Sequence, residues 1–379
     1  PTISGITTFS SPYFFVPPQG DTASRPQGCP PGSFRFNTDS SHLEYYRGDT
    51  IGWVEVEAEL TEPLGGGTGS NANALGTRGI FVGGYAPSQS NDIQFITIST
   101  LGTSQDFGDL NDGYSAGVAT NDRTRGFYSG GNTGNQLDMR LCTLASMGDS
   151  VDGGGDLTVA TKGKPTGNSS STRGVISGGR DHPGSSEVNI IQHHTIQTTG
   201  NAADFGDLLN PRSYNGGNCQ STTRGITAGG FSPSAPTRVN SIEYITMASL
   251  GNSVDFGDLV TAVSNIGAGS NCIRGILSGG SDGSTALRDI DFITIASTGN
   301  ATTFGDLDNG SDFNHVKGDV ACCTSPTRCV IGGGSVPGGT GMQYVEIATT
   351  GNGVDFGGFG VNPNASQDRG VWSTGHGGL

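Results

Sequence analysis

The chain repeats one arrangement of apolar and polar positions. Its clearest copy is Arg173-Gly174-Val175-Ile176-Ser177-Gly178-Gly179: a cation, a glycine, a short apolar run and a glycine pair. Sister phrases begin at Arg78, Arg125, Arg224, Arg274, Arg328 and Arg369, 41 to 54 residues apart. A second stretch alternates apolar and polar residues, as in Ile290-Asp291-Phe292-Ile293-Thr294-Ile295, the mark of a half-buried strand. A third phrase reads Asp204-Phe205-Gly206-Asp207-Leu208, with copies carrying Asp109, Asp156, Asp258 and Asp306, and it decays to Gly358 in the sixth. Gly-Asn pairs such as Gly251-Asn252 predict the turn between the last two stretches. Each repeat therefore predicts three to four short strands in about fifty residues, the content of one propeller blade.

The two ends extend the pattern. Phe34–Asn37, Leu43-Glu44-Tyr45-Tyr46 and Trp53-Val54-Glu55-Val56-Glu57 predict three strands without an Arg-Gly phrase before them. Arg369-Gly370-Val371-Trp372 is such a phrase with nothing after it. Joined, residues 34–76 and 369–379 would make one shared blade. The expected fold is thus all-β: a seven-bladed β-propeller over residues 34–379, closed by pairing of N- and C-terminal strands so that no sheet edge stays open. Residues 1–33, punctuated by proline, are expected to be an extended arm. Its cluster Tyr13, Phe14, Phe15 and Val16 is the candidate for docking on another protein.

Composition narrows the function. The 66 glycines lack a three-residue period and pair at fixed repeat positions, which excludes collagen and fits turns. A net charge of −15 with only 19 basic residues argues against nucleic acid as a partner. No apolar run reaches the roughly 20 residues of a membrane span. The seven cysteines form no metal-binding spacing, and Cys219, Cys272 and Cys323 are expected to be small buried groups. Pro1 fits removal of an initiator methionine, which suggests synthesis in a cytoplasm without a secretory signal.

Candidate chemistry is sparse. The repeat arginines are expected to be structural, pairing with the aspartates of the Phe-Gly-Asp-Leu phrase and tying blades together. No cofactor is expected; calcium is the one cation that acidic, glycine-rich loops admit, yet no copy has a calcium loop's alternating aspartates. His193 and His194, adjacent on a strand, point to opposite faces and cannot share a metal, and are expected to be exposed or half-buried. No catalytic constellation stands out, so an enzyme is not expected. The variable loops after the glycine pairs, with Tyr85, His182 and Phe231, are the candidate surface contacts.

Tyr244-Ile245-Thr246-Met247-Ala248-Ser249, Gly251-Asn252, Asp255-Phe256-Gly257-Asp258-Leu259 and Arg274-Gly275-Ile276 resemble repeats of virion-associated proteins of tailed marine and cyanobacterial phages. The stretch from Gly32-Ser33-Phe34-Arg35-Phe36-Asn37 to His42-Leu43-Glu44-Tyr45-Tyr46 and Trp53 resembles a short module of phage fibre and appendage proteins. The glycine-pair strand ends are also similar to kelch repeats, without the kelch tryptophan. These resemblances imply a virion structural protein. It would be a tail fibre or appendage recognising a host-surface glycan or receptor, or else a capsid decoration held by its arm to other virion proteins. A polysaccharide-degrading enzyme is the third expectation.

Overall fold

The computed structural model describes residues 17–40, 42–55, 77–85, 88–132, 137–233, 238–308, 318–334, 340–360 and 367–379. The docking cluster Tyr13, Phe14, Phe15 and Val16 lies outside them. The described chain is all-β and forms two compact units, residues 1–62 and 63–379.

In the first unit, Phe34–Asn37, His42–Tyr46 and Trp53–Glu55 form an antiparallel sheet, and Gln19–Gly20 adds a parallel edge. Residues 17–33 are therefore part of this unit. Arg25 pairs with Glu44, and Asn37 donates to the same carboxylate. The Trp53 indole N–H donates to the Pro26 carbonyl at 2.9 Å. Arg35, Asn37 and Glu44 are buried while Phe34 and Leu43 are exposed, so this small sheet has a polar inner face.

Among the described residues, the second unit contains six four-stranded antiparallel sheets resembling propeller blades. The fourth is typical: Gly216–Gln220 is innermost, followed by Arg224–Ala228, Ser241–Thr246 and Val254–Asp258. The Arg-Gly strand is thus second, and the irregular stretch before it supplies the inner strand. The same shift corrects the expected architecture. Gly370–Ser373 pairs with Arg78–Val82 and is the inner strand of the sheet that continues through Ser90–Thr97 and Gln105–Tyr114. Arg369 does not open a seventh blade, because it sits just before an inner strand. The strands at 34–55 pair among themselves, and no seventh sheet of this kind occurs among the described residues. The inner strands touch in a cycle, from first sheet to sixth and back to first.

Two recurrent devices join each sheet to the next. The repeat arginines do not pair with the repeat aspartates; they donate to main-chain carbonyls of the following sheet. Arg78 reaches Leu144, Arg125 reaches Gln197, Arg173 reaches Met247, Arg224 reaches Ile295, Arg274 reaches Ala348 and Arg328 reaches Ile98, at 2.7 to 3.0 Å. The second device uses the Gly-Asn turn. Asn201, Asn252, Asn300 and Asn352 each accept, at 3.0 to 3.1 Å, the N–H of Asp156, Asp207, Asp258 and Asp306 on the preceding sheet, and Asp149 does so for Asp109. In the decayed sixth copy, Gly102 and Ser104 of the first sheet donate to the Phe356 and Gly358 carbonyls. The aspartate side chains are free of these joints: Asp109, Asp156, Asp207 and Asp306 are exposed and Asp258 half-exposed.

The glycine of the Arg-Gly phrase follows from the same packing. A Cβ on Gly225 would come 2.9 Å from Asn168, and one on Gly275 would come 2.2 Å from Cys219, each on the preceding inner strand. Arg224→Met should remove one half-buried charge-assisted bond and the Tyr244 ring contact at 4.4 Å, costing about 2 kcal/mol. Arg328→Met should cost as much in urea unfolding, since it joins the sixth sheet to the first. A much smaller loss at Arg328 would show that this junction does not form in solution.

Candidate functional site

Inner strand and Arg-Gly strand run antiparallel, with Val118 opposite Ser129 and Gly267 opposite Ser278. The glycine pairs that end the Arg-Gly strands therefore lie beside the starts of the inner strands. This puts the variable loops at one end of the sheets, and the structure ties them there. Tyr85 bridges to Gln367, Phe231 to Ser213, and Arg180–Asp181 pairs with Thr161–Lys162. Tyr85 and His182 are exposed and Phe231 is half-buried, so the three loop candidates lie on the same end. Arg180 organises part of it: it pairs with Glu187 at 2.8 Å, donates to the Tyr214 hydroxyl at 3.2 Å and faces the Phe231 ring at 5.7 Å.

At the same end, the inner-strand starts enclose a cleft of about 430 Å³, including its opening to solvent. Its wall comes from the inner-strand starts of all six sheets, including Gly117, Lys164, Asn218, Gly267, Ala321 and Arg369. The residue two places before each inner strand has a positive φ: Ala116, Lys164, Tyr214, Asn265, Gly318 and Asp368. Five non-glycine residues in that region are a costly set, held by the backbone chain around the mouth. Ala116 donates to Asp368, Lys164 to Ala116, and Asn265 to Tyr214. Lys164 of the third sheet reaches across to Asp319 at 3.3 Å and Asp368 at 3.6 Å, just before the sixth and first inner strands. Burial raises the Asp368 carboxyl above its ordinary value against the pull of Lys164.

The opposite end is closed by residues 374–379. Thr374 donates to the Arg78 carbonyl, and Gly377 donates to that of Ser270. His376 is buried: its Nε2 donates to the Asn121 carbonyl at 3.0 Å, and its Nδ1 accepts the Gly378 N–H at 3.1 Å and the Gln220 amide at 2.9 Å. The backbone donor at Nδ1 fixes the tautomer. Burial pushes the ring down to about 4, with Arg123 acting in the same sense and Asp122 against it. This pin was not apparent from the sequence, where Gly375-His376-Gly377-Gly378 looks like an ordinary loop.

Other sequence candidates behave as packing groups. His194 is buried, correcting the expectation of an exposed or half-buried ring: Phe127 packs on it at 4.6 Å and Thr120 Oγ1 lies 2.8 Å from Nε2. His193 is half-buried and takes the place of the aromatic residue that packs edge-on against the repeat phenylalanine in other sheets. All seven cysteines are free thiols; Cys219 and Cys323 are buried as expected, but Cys272 is exposed. Among the described residues, no three His, Cys, Asp or Glu side chains gather in a metal-holding group, and no helix is long and apolar enough to cross a membrane. No family model and no curated protein matches this chain.

Proposed function

We propose that the chain is a structural protein of a phage particle, in which a rigid propeller displays its loop face toward a host-surface glycan or receptor. On this reading the six sheets are blades of one closed propeller, and the segment carrying Tyr13, Phe14, Phe15 and Val16 attaches it to other virion proteins. The observation that carries the proposal is the placement of the variable loops with Tyr85, His182 and Phe231 at one end of the sheets, where the inner strands start, on sheets joined by repeated main-chain bonds. Loops that vary on a frame that does not are the usual seat of recognition. No catalytic residue is assigned.

Antibody against residues 78–379 should place immunogold on the tail or its fibres of intact particles. Alanine substitution of Tyr85, His182 and Phe231 together should then reduce cell binding at least tenfold while leaving particle assembly intact. Gold over the head would replace host recognition with capsid decoration, and particles without gold would remove the virion reading.

A further inference from the structure

Three charged side chains from distant parts of the sequence meet at the starts of the inner strands. Lys164 precedes the inner strand of the third sheet, Asp319 that of the sixth and Asp368 that of the first. Lys164 Nζ donates to Asp319 Oδ1 at 3.3 Å and lies 3.6 Å from Asp368 Oδ1. Their side chains are only 10, 17 and 21% exposed, so the three are withdrawn from water together, where charge is costly. The backbone holds them in place. Lys164 and Asp368 carry φ angles of 51° and 53°, conformations that persist in such residues only where the surroundings impose them. The Lys164 N–H donates to the Ala116 carbonyl, and the Ala116 N–H donates to that of Asp368. One residue thereby ties the lysine to the aspartate, and Asn215 donates to the Lys164 carbonyl from the other side.

Fully ionised, the trio holds one cation and two anions. Burial raises the Asp368 carboxyl against the pull of Lys164, and Asp319 adds to the rise, so Asp368 is the carboxyl that takes up a proton. Burial works to discharge Lys164, but the two carboxylates outweigh it and hold the amine charged. With a proton on Asp368 the trio is neutral overall. Passing the ammonium proton to Asp319 then leaves an uncharged amine beside an uncharged carboxylic acid, the pair of forms that a water-poor site favours. A nucleophilic amine held this close to a carboxyl carbon has its approach already arranged.

We propose that Lys164 and Asp319 join in an isopeptide bond, with Asp368 as the proton carrier. Lys164 Nζ attacks Asp319 Cγ, while Asp368 gives its proton to the departing hydroxyl and takes one from the nitrogen. The Nζ–Cγ bond forms, the Cγ–OH bond breaks and one water leaves. The balance needs no oxidant and no co-reactant. The product spans 155 positions of sequence and fastens the third sheet to the sixth covalently, beside the cleft.

The test is mass spectrometry of the full chain, intact and after trypsin, on protein that unfolds cooperatively in urea. Trypsin cuts after Lys162, Arg173, Lys317 and Arg328, so the bond would join residues 163–173 to residues 318–328. Lys164 is the one lysine in the first peptide, and Asp319 is the one side-chain carboxylate in the second. The joined peptide therefore assigns both ends. The unsubstituted chain should weigh one water less than its sequence specifies and yield this peptide. Lys164→Arg keeps the cation but not the amine, and should show the full mass and two separate peptides. Asp368→Asn suits the same backbone conformation but carries no titratable proton, and should leave most chains unjoined. Full mass in the unsubstituted chain, or a water loss that persists in Lys164→Arg, would overturn the bond. Joining of residues 163–173 to residues 329–369 would overturn Asp319 as the acceptor. Complete joining in Asp368→Asn would overturn Asp368 as the proton carrier.

Discussion

Trp372→Ala should lower the stability of the sheet unit by about 4 kcal/mol, the range for emptying a large aromatic site in a core. Trp372 is fully buried, and its indole N–H donates to the Phe127 carbonyl at 3.0 Å. It stands opposite Ile80 in the strand that completes the first sheet, and its ring fills the gap toward Gly126 of the second. The equivalent inner-strand positions, each opposite the second residue after the repeat arginine, carry Thr120, Asn168, Cys219, Gly269 and Cys323. No other inner strand commits so much volume at this position. Truncation leaves both a cavity and an unmatched carbonyl, so urea unfolding of Trp372→Ala should show a midpoint shift larger than that of Arg328→Met. Gly126→Ala should also destabilise, from the opposite cause, because its Cβ would come 2.5 Å from the indole. A Trp372→Ala loss below about 1 kcal/mol would mean that the closing strand is not seated in solution.

The second large effect is on acid stability. Burial pushes His194 and His376 down to about 4 in the folded protein, against about 6.5 when unfolded. Their folded values lie below their unfolded ones. The stability they carry is therefore present above pH 6.5 and is lost as pH falls from 6.5 toward 4. Each contributes about 3 kcal/mol over that window. Asp291 acts in the opposite sense: burial raises it to about 6, so it regains about 3 kcal/mol as pH falls through that value. The balance is a net loss of about 3 kcal/mol by pH 4. Urea midpoints measured from pH 7.5 to 4 should fall across this window, and His194→Phe should flatten the fall. A flat profile for the unsubstituted protein would rule out two neutral buried histidines.

The geometry at His376 makes the same point without any titration value. Its Nδ1 accepts a backbone N–H from Gly378, so a proton added there would face another proton. Releasing residues 374–379 is the relief available, and protease sensitivity of this segment should rise as the pH approaches 4.

The repeat, its strands and the role of arginine as a joint between sheets were legible in the sequence. What misled was order. The Arg-Gly phrase is regular because each copy packs the same way, but the inner strand before it varies from Gly267-Ala268-Gly269-Ser270 to Val320-Ala321-Cys322-Cys323. Inner strands pack against differing inner strands of the adjacent sheets, so they share no common signature. Arg369-Gly370 copies the phrase by chance, and the structure uses it as one of these inner starts. The arginine partners were illegible for another reason. Carbonyl acceptors belong to every residue and leave no mark, whereas the aspartates that drew attention are solvated.

One substitution shows how closely the sheets fit. Arg328 is followed by Cys329 where the other repeats have glycine. The preceding inner strand there carries Gly269, where other sheets place a side chain, and a Cβ on Gly269 would lie 3.5 Å from the Cys329 sulfur. Bulk has moved from one sheet to its neighbour with the joint kept intact. No repeat read alone reveals such an exchange. The polar cluster of Arg25, Glu44 and Asn37 in the first unit was equally hidden, because alternation predicted a half-buried sheet without saying which half.

The pin at residues 374–379 touches strands from along the whole repeat region, and it follows all six sheets in the chain. Its carbonyl and amide partners, at Arg78, Asn121, Gln220 and Ser270, assemble only when the earlier repeats have found their places. During synthesis the pin leaves the ribosome after the six sheets, and it has a seat only once the strands that hold its partners are in place. A chain that stops short of it leaves these carbonyl and amide partners unmatched. A seated segment 374–379 therefore marks a chain whose earlier repeats are in place.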